Sequence, residues 1–116
     1  MRSKILYLAV LLWASVTLQG QKIYEVAYES QADVNVFVVP YESQCDLKVY
    51  HVQYESQADE PGLWYHVRYE SEAELKIFFV KYESQADLKI FYVEYESQAG
   101  WENEDKKQLL CGLKTR

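Results

Sequence analysis

Glycine is scarce in this 116-residue chain, occurring only at positions 20, 62, 100 and 112. Loops that cradle phosphates need several glycines close together so that backbone N–H groups can approach the ligand, and that class is excluded. Cysteine is limited to Cys45 and Cys111, and histidine to His51 and His66, so no clustered cysteine ligand motif is present. Serine-triad signatures are also missing. Lysines are scattered about one per repeat beside Asp or Glu and do not form the dense basic patch that nucleic acid or an anionic membrane surface requires. The longest apolar run, residues 5–16, is about twelve residues, short of the roughly twenty that cross a bilayer.

That apolar run belongs to a separate leading segment. Arg2 and Lys4 precede it, and Thr17-Leu18-Gln19-Gly20 follows it, polar and ending in a small residue. Charged start, short apolar centre and small-residue end form the pattern of a secretory signal peptide over residues 1–20. Export to the periplasm or the extracellular space is the expectation, with no stable membrane insertion after processing. The segment carries two basic and no acidic residues, so the formal net charge of −6 becomes −8 once it is removed.

What the chain has in abundance is one phrase. Tyr-Glu-Ser-Gln-Ala-Asp and close variants begin at Tyr28, Tyr41, Tyr54, Tyr69, Tyr82 and Tyr95, thirteen residues apart except for one gap of fifteen around Pro61-Gly62. The chain is a repeat array, residues 22–100, followed by a cap over residues 101–116. Val recurs at 26, 39, 52, 67, 80 and 93, an aromatic two residues earlier, and the Tyr of the phrase two residues later. Period-two alternation puts these three on one strand face, expected to face the core. The residue before the aromatic (Ile23, Val36, Val49, Trp64, Ile77, Ile90) is always apolar, so the start of each strand is expected to be covered on both sides. Glu25, Val38, His51, His66, Phe79 and Tyr92 share a looser column that reads as solvated.

Ser followed three residues later by an acid (Ser30/Asp33, Ser43/Asp46, Ser56/Asp59, Ser71/Glu74, Ser84/Asp87) is the capping-box pattern. The expected fold is therefore mainly β, with small α+β content allowed: six strand-plus-helical-turn repeats in one domain over residues 21–116. The charged-then-apolar stretch after Gly100 reads as a C-terminal helical cap.

Tandem Lys-[Ile/Val]-aromatic-x-Val-x-Tyr-Glu-Ser-Gln-Ala-Asp units closing in Ala99-Gly100-Trp101 resemble a family of small bacterial proteins, a domain of unknown function whose members fold into a septafoil knot. The resemblance covers roughly residues 22–110 and implies a deeply knotted monomer without an established activity.

Several residues carry a possible chemistry beside a plainer role. His51 and His66 fall in one column with Glu25, and a metal site would need adjacent strands to bring the three together; otherwise they are exposed strand residues. The six phrase glutamates offer paired carboxylates for glycoside hydrolysis, but equivalent repeats give equivalent environments, whereas catalysis needs separated pKa values. Trp64 and Tyr65 next to the insertion are candidates for a binding patch, against a default of core packing. Cys45 and Cys111 would form a disulfide if the tail returns across the second turn, closing a loop of about 65 residues worth roughly 3–4 kcal/mol; one buried thiol and one free tail thiol is the alternative. No cofactor is implied. The reading is a non-enzymatic exported structural or partner-binding module, its partner a protein or glycan of the cell envelope; the alternative is a small envelope hydrolase or glycan-binding module.

Overall fold

The computed structural model describes residues 21–108 and converts each copy of the repeat into one short strand and one 3-10 turn. The strands are β1 (Lys22–Glu25), β2 (Val34–Val38), β3 (Leu47–His51), β4 (Leu63–His66), β5 (Leu75–Phe79), β6 (Leu88–Tyr92) and the two-residue β7 (Gly100–Trp101). The expected signal peptide, residues 1–20, and Cys111 lie outside the described residues, as does the cap beyond residue 108. Within 101–108 the chain forms a 3-10 turn, Glu104–Lys106.

Six parallel strands close into a barrel in the order β4-β1-β5-β2-β6-β3, with β3 pairing back onto β4. In the ladders Ile23 is level with His66, Glu25 with Ile77, Val36 with Phe79, Val38 with Ile90, Val49 with Tyr92 and His51 with Trp64. Every seam is thus offset by two residues. A constant offset keeps side chains facing the same way and places equivalent repeat positions in rings around the barrel. β7 pairs antiparallel with the opening half of β3, Leu47 with Trp101 and Lys48 with Gly100. With β7 counted between β3 and β4, each connection advances two of seven positions around the wall.

The connections cross outside the strand they skip. Between β1 and β2, Val26 N–H donates to Ile77 O at 2.9 Å and Asp33 N–H to Lys76 O at 2.7 Å, so the segment is laced onto β5 at both ends. Parallel strands are more often joined by a crossover containing a helix. Here one 3-10 turn suffices: Gln31 N–H donates to Tyr28 O and Ala32 N–H to Glu29 O, and the chain is extended again by Ala32.

Three rings of side chains fill the interior. Val34, Leu47, Leu75 and Leu88 form the first, with Gln21 and Gly62 at the matching positions; Ile23, Val36, Val49, Trp64, Ile77 and Ile90 form the second. The third is Glu25, Val38, His51, His66, Phe79 and Tyr92, at the carboxyl-terminal mouth. The core therefore belongs to the column before the aromatic. Tyr24, Phe37, Tyr50, Tyr65, Phe78 and Phe91 point outward and are only half-buried, and the Val column is buried beyond the strand ends up to Val80. The expectation that the phrase tyrosines face the core is wrong: Tyr28, Tyr41, Tyr54, Tyr69, Tyr82 and Tyr95 are 61–68% exposed. Alternation along a strand stops where the 3-10 turn begins, and each Tyr opens that turn from an extended conformation on the surface.

The capping box is likewise replaced. Among the described residues no serine caps a turn; in two turns the phrase glutamine reaches back instead, Gln57 Oε1 accepting from Tyr54 N–H and Gln98 Oε1 from Tyr95 N–H. The acid of the phrase reaches to a neighbouring strand: Lys76 N–H donates to Asp33 Oδ2, Lys89 N–H to Asp46 Oδ2 and Asn35 N–H to Asp87 Oδ2, each at 2.9 Å. Glu74 Oε1 accepts from the backbone of Gln21 and Lys22. A carboxylate is needed here because the offset leaves strand-start N–H groups without a ladder partner.

Candidate functional site

The phrase glutamates are assigned one by one to the outer face of the barrel. Six residues after each, the strand presents a partner: Glu42 meets Lys48 at 3.8 Å, Glu70 meets Lys76 at 3.5 Å, Glu83 meets Lys89 at 3.2 Å, and Glu29 accepts the Asn35 amide at 2.9 Å. The insertion removes the partner of Glu55, which takes Lys22 of the first strand at 3.0 Å; hydrogen bonding to Glu55 holds that ammonium above the usual lysine range. These pairs are solvent-facing and contribute little stability individually. Glu96 is the exception. The residue six positions on is Glu102, which itself pairs with Lys48 at 3.3 Å, and Glu96 has no partner among the described residues.

Glu96 opens into a cleft of about 510 Å³ at the seam where the insertion and the seventh unit meet. Glu60, Pro61 and Leu63 line one side, Glu96 and Ser97 another, and Trp101, Glu104 and Lys107 the third. The seventh unit is anchored there by Asp46, whose backbone oxygen accepts from Glu102 and Asn103 and whose Oδ1 accepts the Asn103 amide at 3.1 Å. Three carboxylates against one ammonium make the cleft anionic, with the half-buried Trp101 as its aromatic element. Sequence reasoning weighed Glu96 only as one of six equivalent phrase glutamates and did not join it to Glu60, Trp101 or Glu104, yet one signal was readable: Glu102 stands where four of the other six-residue steps from a phrase glutamate reach Lys or Asn.

At the barrel mouth the structure brings His51 and His66 together, with ring centres 4.7 Å apart, and sets Tyr92 4.9 Å from His51 on the other side. Desolvation lowers the pKa of both imidazoles, and charge repulsion from His66 lowers that of His51 further. Desolvation raises the Tyr92 phenol, with a further contribution from the Glu25 carboxylate. Strand order makes Glu25, His66, His51 and Tyr92 four consecutive members of the ring, leaving Phe79 and Val38 as its apolar remainder. Glu25 does not complete a three-ligand site: among the described residues no three His, Cys, Asp or Glu side chains are grouped to hold a metal ion.

Trp64 is no binding patch. It is fully buried in the second ring, where its bulk sits beside the position left small by Gly62, and its indole N–H has no partner among the described residues. Tyr65 is half-buried on the outer face. Cys45 is buried at the alanine position of its turn, and burial pushes its thiol pKa up. Among the described residues no helix is long and apolar enough to cross a membrane.

Searches of curated proteins and of solved structures found no match. A family model described as a 7(1) septoil knot domain matches residues 20–102, a span that holds all six copies of the phrase and the Ala99-Gly100-Trp101 closing. On that match, the chain belongs to the septoil knot domain family.

Proposed function

We propose that this protein is an exported, non-enzymatic binding module on a knotted barrel, and that it takes a basic partner at the seam cleft. The observation that carries the reading is the unpaired Glu96 meeting Glu60 and Glu104 in one cavity, while the other phrase glutamates are engaged with the fold. An anionic concavity with an aromatic wall suits an arginine or lysine side chain of a partner polypeptide, which gains both carboxylate contacts and a cation–π contact. The knot is supported by the path. A chain advancing two of seven positions at every step winds twice around the barrel axis, and the family description names that topology. Export rests on the leading segment; intact mass of protein recovered from the periplasm or medium tests it, and Met1 retained there would overturn it.

The binding reading is tested by capture from the exporting organism with wild-type protein and with Glu60→Gln/Glu96→Gln/Glu104→Gln. Partners lost from the folded variant, and recovered with salt dependence, are expected. Equal capture by both proteins overturns the assignment. A second reading, glycan binding, is favoured by Trp101 in the same cavity, since a sugar would stack on its ring and donate hydroxyls to the carboxylates. Binding of neutral oligosaccharides that is lost in Trp101→Ala and insensitive to salt would select it.

A further inference from the structure

We propose that His51 and His66 form a two-imidazole site for a divalent transition-metal ion of the copper and zinc class at the carboxyl-terminal mouth of the barrel. The site lies at the mouth, next to the seam cleft: Glu96 lines both that cleft and the hollow beside His51. His51 ends β3 and His66 ends β4, two strands hydrogen-bonded to each other, and the two-residue offset brings both side chains into one ring. A metal bound by two imidazole nitrogens at about 2.0–2.1 Å, with an angle near 90–110° between them, leaves the ring centres roughly 4.5–5.2 Å apart. The observed separation of 4.7 Å, with the planes tilted by 36°, is within that range.

The surroundings favour a cation of this class. Both rings are exposed at the mouth, so water can complete the coordination sphere. Imidazole nitrogen is a good donor for copper, zinc and nickel and a poor one for calcium or magnesium. Tyr92 packs on His51 from the side opposite His66, which limits how far that ring can swing away, and Glu25 follows His66 in the ring as a negative charge facing the same opening. Among the described residues no third His, Cys, Asp or Glu joins them, so the site is an open one held by two protein ligands.

These are the two histidines of the whole chain, which makes the test direct. The full-length protein, without an affinity tag and after chelator treatment, is titrated with Cu²⁺ and with Zn²⁺ by calorimetry. Copper resonance spectra are then recorded at one equivalent. One ion per chain and nitrogen coupling from two imidazoles are expected. His51→Ala and His66→Ala should each lose at least the roughly 10–100-fold affinity that even outer partners of a metal site contribute. The metal should raise the unfolding temperature of the wild type and leave His51→Ala/His66→Ala unchanged, because only a ligand bound to the folded state stabilises it. Absence of binding, equal affinity in the double variant, or coupling from a single imidazole would each overturn the proposal. Unfolding curves of the metal-free variants confirm that a lost signal is not a lost fold.

Discussion

Gly62 lies so close to the carbonyl oxygen of Lys48 that a side chain at this position would overlap it, and the amide nitrogen of Gly100 closes the space from the other side. The glycine also holds a φ of +88°, a conformation that costs an L-residue energy of its own. One position therefore sets both the entry into β4 and the room available to β7. Gly62→Ala should destabilise by roughly 2–4 kcal/mol from backbone strain plus forced displacement of neighbours. Urea unfolding gives the size of the loss, and hydrogen exchange gives its place: the amide of Glu102, which donates to Asp46 at 2.9 Å, should lose protection first. A variant as stable as wild type would mean that the seventh unit does not depend on this contact.

A second comparison separates the two possible roles of the phrase. Asp33 accepts the Lys76 backbone N–H from a neighbouring strand, whereas Ser30 caps nothing. Asp33→Ala should cost about 1.5–3 kcal/mol, in the range of hydrogen bonds to a charged group, and Ser30→Ala less than about 0.5 kcal/mol. Equal losses in urea midpoint would restore the capping box that the sequence pattern suggested.

The gap between pattern and structure has a physical reason here. Ser-x-x-Asp reads as a local cap because spacing shows only local neighbours; the true partner of Asp33 is 43 residues away and is set by barrel closure. Repeat boundaries, strand-plus-turn units and the insertion were all legible, since each depends on residues within one repeat. Which face became the core was not: Ile23 and Tyr24 are both apolar, and the barrel's curvature decides which of them has room inside. The His51–His66 column was readable, while their contact needed the β3–β4 seam. The cleft was hidden for a similar reason, because Glu60 and Glu96 come from two different connections and Glu104 from the turn after β7, and they meet only when β7 is in place.

The Val column offers a test of burial with its own internal control. Val52 is buried and the next residue, Gln53, is exposed. Val52→Asp should lose several kcal/mol by placing an unpaired carboxylate among apolar groups, and Gln53→Asp should change stability by less than about 0.5 kcal/mol. Comparable urea midpoints for the two variants would show that the outer layer beneath the connections is wet.

Cys45 should be a slow thiol. Thiol reagents attack the thiolate, and burial raises the pKa of Cys45, with the Glu102 charge adding to the effect. The thiolate fraction at a given pH is therefore below that of an exposed cysteine. In a Cys111→Ser variant at pH 8, labelling should be about tenfold or more slower than in the urea-unfolded chain and should accelerate as pH rises. Labelling at the unfolded rate would place Cys45 at the surface. Non-reducing peptide mapping of the wild type decides whether Cys45 is bridged to Cys111.

Digestion tests the winding path itself. The exposed phrase tyrosines are good chymotrypsin side chains, yet each opens a 3-10 turn, and the connections after β1, β2, β4, β5 and β6 are hydrogen-bonded to the strand they cross. A protease must draw an extended segment into its own cleft, so the connection has to leave the barrel before it can be cut. If the chain is threaded as the two-of-seven winding implies, releasing one connection requires releasing others, and local opening becomes as rare as global unfolding. Persistence then follows the unfolding rate and not the equilibrium stability. Cleavage should trim the chain outside the repeats and leave the barrel intact, including at Pro61-Gly62, because Gly62 is buried there. The rate of internal cleavage should stop rising with protease concentration and level at the unfolding rate measured independently in denaturant. Rapid, protease-proportional cutting at several tyrosine turns would show that the connections open one at a time, and a threaded topology would not survive that result.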